Sequence, residues 1–223
     1  MTELGPLQRL LLAYAPVSAR GWQGLCWLLD QRLAAVAQRG GDPTIAAIRM
    51  AWWDEVLVAE DHAKGGGEPL VEQWRAIAPA GAGAAAERLI DGWRLLLSPE
   101  ALSEHDLRAY GLARGGGLFG LIAGGMDEVL DASGAVWALW DLAGHVRDED
   151  LARQALAAAR ALADEAAAMS GNRVRDARPG GRAGRPLRLA HAVARVDVLA
   201  GTVPPAGFSL RQYGRLLRAS WRD

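Results

Sequence analysis

An arginine lies one helical turn before two tryptophans in the segment PTIAAIRMAWWDEVLV, residues 43–58. Arg49 precedes Trp52 by three residues and Trp53 by four, the spacing that puts side chains on one side of an α-helix. A guanidinium in that position can stack on an indole or bind an anion inside an apolar cavity. We therefore predict that Arg49, Trp52 and Trp53 contribute to a ligand-binding site. The alternative is an arginine that extends to solvent or pairs with a neighbouring helix.

Asp141 and His145 form a second pair, one helical turn apart. A carboxylate and an imidazole can bind a divalent ion, but two ligands without a third do not define a metal site. The alternative is a polar pair that faces solvent or closes a helix end. Nucleophile, phosphate-loop and dinucleotide motifs are absent from the sequence, since the glycine run 115–117 follows a predicted helix and not a strand. We predict no catalytic residue and no metal site.

The composition excludes several classes of protein. The formal net charge is −1, so the chain has no overall basic field for nucleic acid. The single cysteine, Cys26, excludes an internal disulfide framework and a cysteine-based zinc cluster. No apolar run reaches the roughly 20 residues that a membrane-spanning helix needs. The N-terminal segment, which carries Glu3, is not typical of a signal peptide, so we expect a cytoplasmic location.

Apolar residues recur at intervals of three and four along the chain, and almost no segment alternates with a period of two. We therefore predict one all-α bundle over residues 1–223. Asp42 and Pro43 suit the start of a helix that is apolar over most of its circumference, and we predict that this helix is central. Spacings of three and four residues predict an inner face made of Ile45, Ile48, Trp52 and Val56, which Met50, Trp53 and Leu57 widen.

Two further segments carry structural signals of their own. The predicted helix through residues 107–122 contains five glycines, which indicate a kink, a break, or very close approach by a neighbour or ligand. Residues 170–185 form a predicted basic loop with five arginines. That loop is either a solvated flexible segment or a binding segment for a diphosphate, an acidic partner protein or anionic lipid headgroups. Among the binding roles we favour contact with a membrane surface.

Several segments resemble the squalene/phytoene synthase family. The chain has LLLAYAPVSARGWQGLCWLLDQRLAAV at residues 10–36 and IRMAWW at 48–53, similar to the family's "APxxxR" and "IRLqWWrd" helices. Tyr110, followed after four residues by Gly115-Gly116, stands where the family has a tyrosine followed after four residues by Ala-Gly. The segment GAVWALWDLAG at 134–144 resembles the family's "GxAyqLtnilRD" helix. The resemblance implies the helical bundle of the isoprenoid (terpenoid) synthase type.

The resemblance also identifies what this sequence lacks. Active members hold Mg²⁺ and a prenyl diphosphate on two DxxxD motifs, because the i, i+4 spacing points two carboxylates the same way. This chain has Asp30 without a second acid at the first position, and Asp141 followed by Gly144-His145 at the second. A literal DxxxD from Asp127 to Asp131 lies where acids commonly serve as first-turn charges of a helix.

We therefore predict a squalene/phytoene synthase-like protein that has lost prenyl diphosphate condensation. By resemblance to the short members linked to respiratory complex I assembly, it binds an isoprenoid, another lipid or a partner protein, with peripheral contact to a membrane. The predicted ligand-binding residues are Arg49, Trp52, Trp53, Tyr110, Gly116 and Asp141. The alternative is a prenyltransferase that acts on an isoprenoid diphosphate with unusual Mg²⁺ ligands, and Mg²⁺ is expected as a cofactor only under this alternative. The third hypothesis is a purely structural helical scaffold.

Overall fold

The chain folds into α-helices in a computed structural model, which describes residues 3–38, 42–98, 100–171, 183–205 and 207–221. Within these ranges there is no β-strand, so the all-α prediction is confirmed. The helices are α1 (Pro6–Ala13), α2 (Arg20–Gln38), α3 (Pro43–Leu57), α4 (Pro69–Ile77), α5 (Ala82–Leu95), α6 (Glu104–Tyr110), α7 (Gly116–Ala123), α8 (Glu128–His145), α9 (Glu149–Gly171), α10 (Arg185–Ala200) and α11 (Leu210–Ser220). A short π-helical segment, Gly111–Gly115, joins α6 to α7.

Side-chain caps start several helices, and the cap at Asp42 lies where the sequence predicts a helix start. Asp42 accepts a hydrogen bond from the Thr44 backbone N–H at 2.8 Å at the start of α3. Ser103 and Asp106 form a reciprocal capping box at the start of α6. Caps of this kind satisfy backbone donors that a helix leaves unpaired in its first turn.

The prediction that α3 is the central helix, with Ile45 and Ile48 on its inner face, is wrong. These two side chains are 50% and 63% exposed, whereas Met50 and Trp53 on another face are buried. Helix α3 packs against α2, α4 and α5 at one side of the bundle. Because the helix is apolar nearly all round, its sequence period does not determine which face the neighbouring helices cover.

The central element is α8, in which eleven of the 18 residues are buried. It contacts α6, the π segment, α7, α9 and α10. Its buried side chains belong to one hydrophobic cluster that draws members from α1 to α11. A helix that is buried on several faces must be apolar around its circumference, as α8 is.

Glycines allow three backbones to meet around the π segment. A Cβ atom added at Gly115 would lie 2.1 Å from the carbonyl oxygen of Gly134 in α8, and one added at Gly92 in α5 would lie 2.4 Å from the backbone nitrogen of Arg114. No side chain fits at such distances. Close approach by neighbouring backbones is thus one of the alternatives that the glycine-rich sequence predicts, whereas the π turn is a feature that the sequence analysis did not predict.

The predicted basic loop lies mostly outside the described residues, which omit 172–182. Its ends are helical, since α9 continues to Gly171 and α10 begins at Arg185. No helix in the described part of the chain is long and apolar enough to cross a membrane.

We expect Gly115→Ala to destabilise the fold by at least about 3 kcal/mol, the upper end of overpacking costs, because the new Cβ would push α8 away from the π segment. The matched control is Gly214→Ala in α11, where no atom lies within 4 Å of the added Cβ. That change should raise stability slightly, since alanine favours a helix more than glycine does. Urea unfolding followed by circular dichroism measures both effects, and equal stability of the two variants would contradict the close contact.

Candidate functional site

Two aspartates on facing helices bind the same buried arginine. Arg114 Nη2 lies 2.8 Å from Asp30 Oδ2 in α2 and 2.8 Å from Asp141 Oδ2 in α8, while its Nε lies 3.0 Å from Asp30 Oδ1. The side chains of Arg114 and Asp30 are 3% and 4% exposed, and that of Asp141 is 17% exposed. The bidentate pairing with Asp30 matches the planar fork of the guanidinium.

Aromatic side chains surround the guanidinium of Arg114. Its Cζ lies 4.2 Å from the ring centroid of Trp93, 4.9 Å from that of Trp137 and 5.8 Å from that of Tyr110. Tyr110 Oη accepts a hydrogen bond from Arg114 Nη1 at 2.7 Å, and Trp93 Nε1 donates to Asp30 Oδ1 at 2.9 Å. Cation–π contacts and a complete set of hydrogen bonds offset part of the cost of burying the charge.

The electrostatics keep Arg114 charged. Burial alone would lower its pKa, but attraction by Asp30, Tyr110 and Asp141 outweighs burial and raises the pKa well above its ordinary value. Burial raises the pKa of the Tyr110 phenol, with the positive charge of Arg114 opposing the shift. At neutral pH the site therefore contains a permanent cation and a neutral phenol.

A cavity of about 400 Å³ opens beside this ion cluster. Asp30, Arg114, Asp141 and His145 form its polar end. Its other walls come from α1, α2, α8, the segment that leads into α11, and α11 itself. They combine apolar side chains with three glutamine amides: Leu7, Ala34, Ala35, Trp140, Pro204, Pro205 and Phe208, and Gln8, Gln31 and Gln212. An apolar cavity with a few convergent polar groups is the usual form of a small-molecule site.

A second buried ion pair supports the cavity wall. Trp140 Nε1 donates to Asp197 Oδ2 in α10 at 3.1 Å, and Asp197 Oδ1 lies 2.6 Å from Arg215 Nη1 in α11. These contacts join α8 to α10 and α10 to α11. Phe208, which precedes α11, and Trp140 of α8 line the same cavity.

Asp141 and His145 are neighbours at the cavity mouth, as the sequence spacing predicts. His145 Nδ1 lies 2.7 Å from the Asp141 backbone oxygen and 3.6 Å from Asp141 Oδ1. Among the described residues there is no group of three or more histidine, cysteine or acidic side chains that could hold a metal ion.

The literal DxxxD motif serves the structure of α8 and of its neighbour α5. Asp127 caps α8 by accepting hydrogen bonds from the backbone N–H groups of Val129 and Leu130. Asp131 forms a two-bond ion pair with Arg88 of α5, at 3.0 and 3.1 Å. These are the roles of first-turn charges.

The structure brings together only part of the predicted site. Tyr110 and Asp141 both contact Arg114. Gly116 lies instead beneath the Arg88–Asp131 pair, where an added Cβ would come within 2.7 Å of Arg88 Nη2.

The placement of Arg49 in an apolar cavity is wrong, because its side chain is exposed on α3. Trp52 and Trp53 form an edge-to-face pair with ring centroids 4.9 Å apart, and they pack on the core without lining the cavity beside Arg114. Ile45 and Ile48 of the same helix are exposed as well, and an exposed Arg49 corresponds to the alternative of an arginine that extends to solvent.

Arg114 and Trp93 are functional-site residues that the sequence analysis missed. One signal was present: Arg114 is a lone charged residue within the apolar, glycine-rich stretch from Tyr110 to Ile122. A charge at such a position is almost always paired, because an unpaired buried charge is too costly.

We expect Arg114→Met to destabilise the protein by about 3–5 kcal/mol, because it leaves two carboxylates without their cation in a buried site. Arg108→Ala is the matched control, since Arg108 pairs with Glu165 at the surface; its cost should be below about 1 kcal/mol. Chemical denaturation measures both, and similar costs for the two variants would contradict a structural role for the buried cluster.

Comparison with known proteins adds no family to this description. No family model matches the chain, and searches of curated proteins and of solved structures find no match either. The squalene/phytoene synthase resemblance therefore stays a prediction that rests on the residues quoted for it.

Proposed function

We propose that this chain is a squalene/phytoene synthase-like protein, with the isoprenoid synthase type of helical bundle, that has lost prenyl diphosphate condensation. In this proposal it binds an isoprenoid or another lipid in the cavity beside Arg114. No catalytic residue and no metal are required for binding of this kind.

The observation that carries the proposal is the position of the Arg114 guanidinium between Asp30 and Asp141. These are the two aspartates that stand where the resemblance puts the family's metal-binding motifs. Both carboxylates are used by one internal cation, through bonds of 2.8 to 3.0 Å. A Mg²⁺ ion bound there would have to displace the bidentate guanidinium. Breaking a buried ion pair in this way is strongly unfavourable in free energy.

The cavity suits an apolar chain. Its volume of about 400 Å³ is within the roughly 300–1,000 Å³ usual for small-molecule sites. Burial of hydrocarbon against Leu7, Ala35 and Phe208 would favour binding in proportion to the apolar area removed from water.

Calorimetric titration tests this function with two ligands of the same chain length. We expect farnesol to bind equally well with and without Mg²⁺, and a non-hydrolysable farnesyl diphosphate analogue to gain nothing from Mg²⁺. Tight binding of the analogue that requires Mg²⁺ would favour the prenyltransferase alternative. Absence of binding by both ligands would favour a scaffold or a partner-binding protein.

A pocket-filling variant localises the site. Ala35→Phe adds a ring to the cavity wall and should weaken farnesol binding at least tenfold, about 1.4 kcal/mol. Ala157→Phe adds the same ring at an exposed position of α9 and should leave binding unchanged. Equal binding by the two variants would contradict this location of the ligand.

The outer face of α11 favours a membrane surface as the source of the ligand. Leu210, Tyr213 and Trp221 are 90%, 40% and 87% exposed, and the exposed Arg211 and Arg218 lie between them. Apolar and aromatic side chains interleaved with arginines are typical of helices that lie on anionic membranes. The same helix begins two residues after Phe208, which lines the cavity.

We expect the protein to sediment with anionic phosphatidylserine vesicles more than with neutral phosphatidylcholine vesicles. The double change Leu210→Ser and Trp221→Ser should reduce that binding several-fold. Ile48→Ser removes an exposed apolar side chain from α3, a helix that packs against α2, α4 and α5, and should have no effect. Sedimentation that is insensitive to the α11 changes would contradict membrane contact by this helix.

A further inference from the structure

Every N–H group of the Arg114 guanidinium already has an acceptor within the protein. Nε donates to Asp30, and Nη2 donates to Asp30 and Asp141. Nη1 donates to Tyr110 Oη at 2.7 Å and to the Ala138 carbonyl oxygen at 3.4 Å. A guanidinium has five N–H donors, so none is left for an anion in the cavity.

The carboxylates, in contrast, keep an acceptor that the cavity can reach. Asp141 Oδ2 binds Arg114, whereas His145 Nδ1 lies 3.6 Å from Oδ1, beyond hydrogen-bond distance. His145 Nδ1 lies closer to the Asp141 backbone oxygen, at 2.7 Å. The partly exposed Asp141 side chain therefore keeps a carboxylate oxygen that is open to a ligand.

The charges of the site do not balance. One guanidinium faces two carboxylates, so Arg114, Asp30 and Asp141 together have a formal charge of −1, and no other arginine or lysine is among the described residues that line the cavity. A negative charge at the end of a largely apolar cavity is costly without a cation near it.

We infer that the ligand of this cavity is a cationic amphiphile, with an apolar chain and a primary ammonium group that donates to Asp141 Oδ1. This inference rests on the proposed lipid-binding function and names the ligand's polar group. The ammonium supplies the positive charge and the hydrogen-bond donors that the cluster lacks, while the chain lies against the apolar walls. An anionic head group meets the reverse situation, because the cluster carries a formal negative charge and every N–H of Arg114 is already donated within the protein.

Three ligands that differ only in the head group test the inference by calorimetry at pH 7: geranylamine, geraniol and geranyl phosphate. We expect geranylamine to bind at least about tenfold more tightly than geraniol, the effect of one charge-assisted hydrogen bond. Geranyl phosphate should bind most weakly. Equal affinities, or tightest binding by the phosphate, would overturn the inference while leaving the lipid-binding function in place.

Variants of Asp141 show whether that side chain provides the preference. Asp141→Asn should lower the affinity for geranylamine to that for geraniol. Asp141→Glu, which keeps a carboxylate, should retain part of the preference for geranylamine. Asp164→Asn removes one negative charge from the exposed face of α9 and should leave the preference unchanged. A preference that survives Asp141→Asn in a folded variant would overturn the inference. If none of the three ligands binds the native protein, the proposed function fails and the inference fails with it.

Discussion

The buried pairing of Arg114 with Asp30 and Asp141 is the interaction on which the rest of the structure depends. It joins α2, the π segment and α8, and through the Trp93 indole it includes α5. A charge that is almost completely removed from water is tolerated only if its partners keep close to hydrogen-bond distance. The relative positions of α2, α5, α8 and the π segment are therefore constrained by the same set of bonds.

The glycine contacts and the ion cluster depend on each other. Gly115 and Gly134 let the backbone of the π segment touch α8, and Gly92 lets it touch α5. Larger residues at these positions would separate the helices and lengthen the bonds of Arg114. The extra residue of a π turn changes the direction of the side chains around it, and Arg114 lies within that turn. The glycines that weaken helix α6–α7 locally are what allow its arginine to reach both carboxylates.

The same cluster links stability to function. The two aspartates that the family resemblance assigns to metal binding contribute here to an internal ion pair, and the cavity beside them remains. The hydrogen-bond network around Arg114 leaves one carboxylate oxygen of Asp141 open to the cavity.

The sequence by itself determined the helical class and many helix starts, because caps and periodicity are local: Asp42, Ser103 and Asp127 cap their helices within three residues. It also identified Tyr110, Asp141 and His145 as chemically relevant, and the glycine-rich helix as irregular. It did not determine the buried face of α3, because a helix that is apolar all round leaves that choice to its neighbours. The role of Arg114 was decided only by tertiary structure, since its partners Asp30 and Asp141 are 84 and 27 residues away and no local pattern records that they meet.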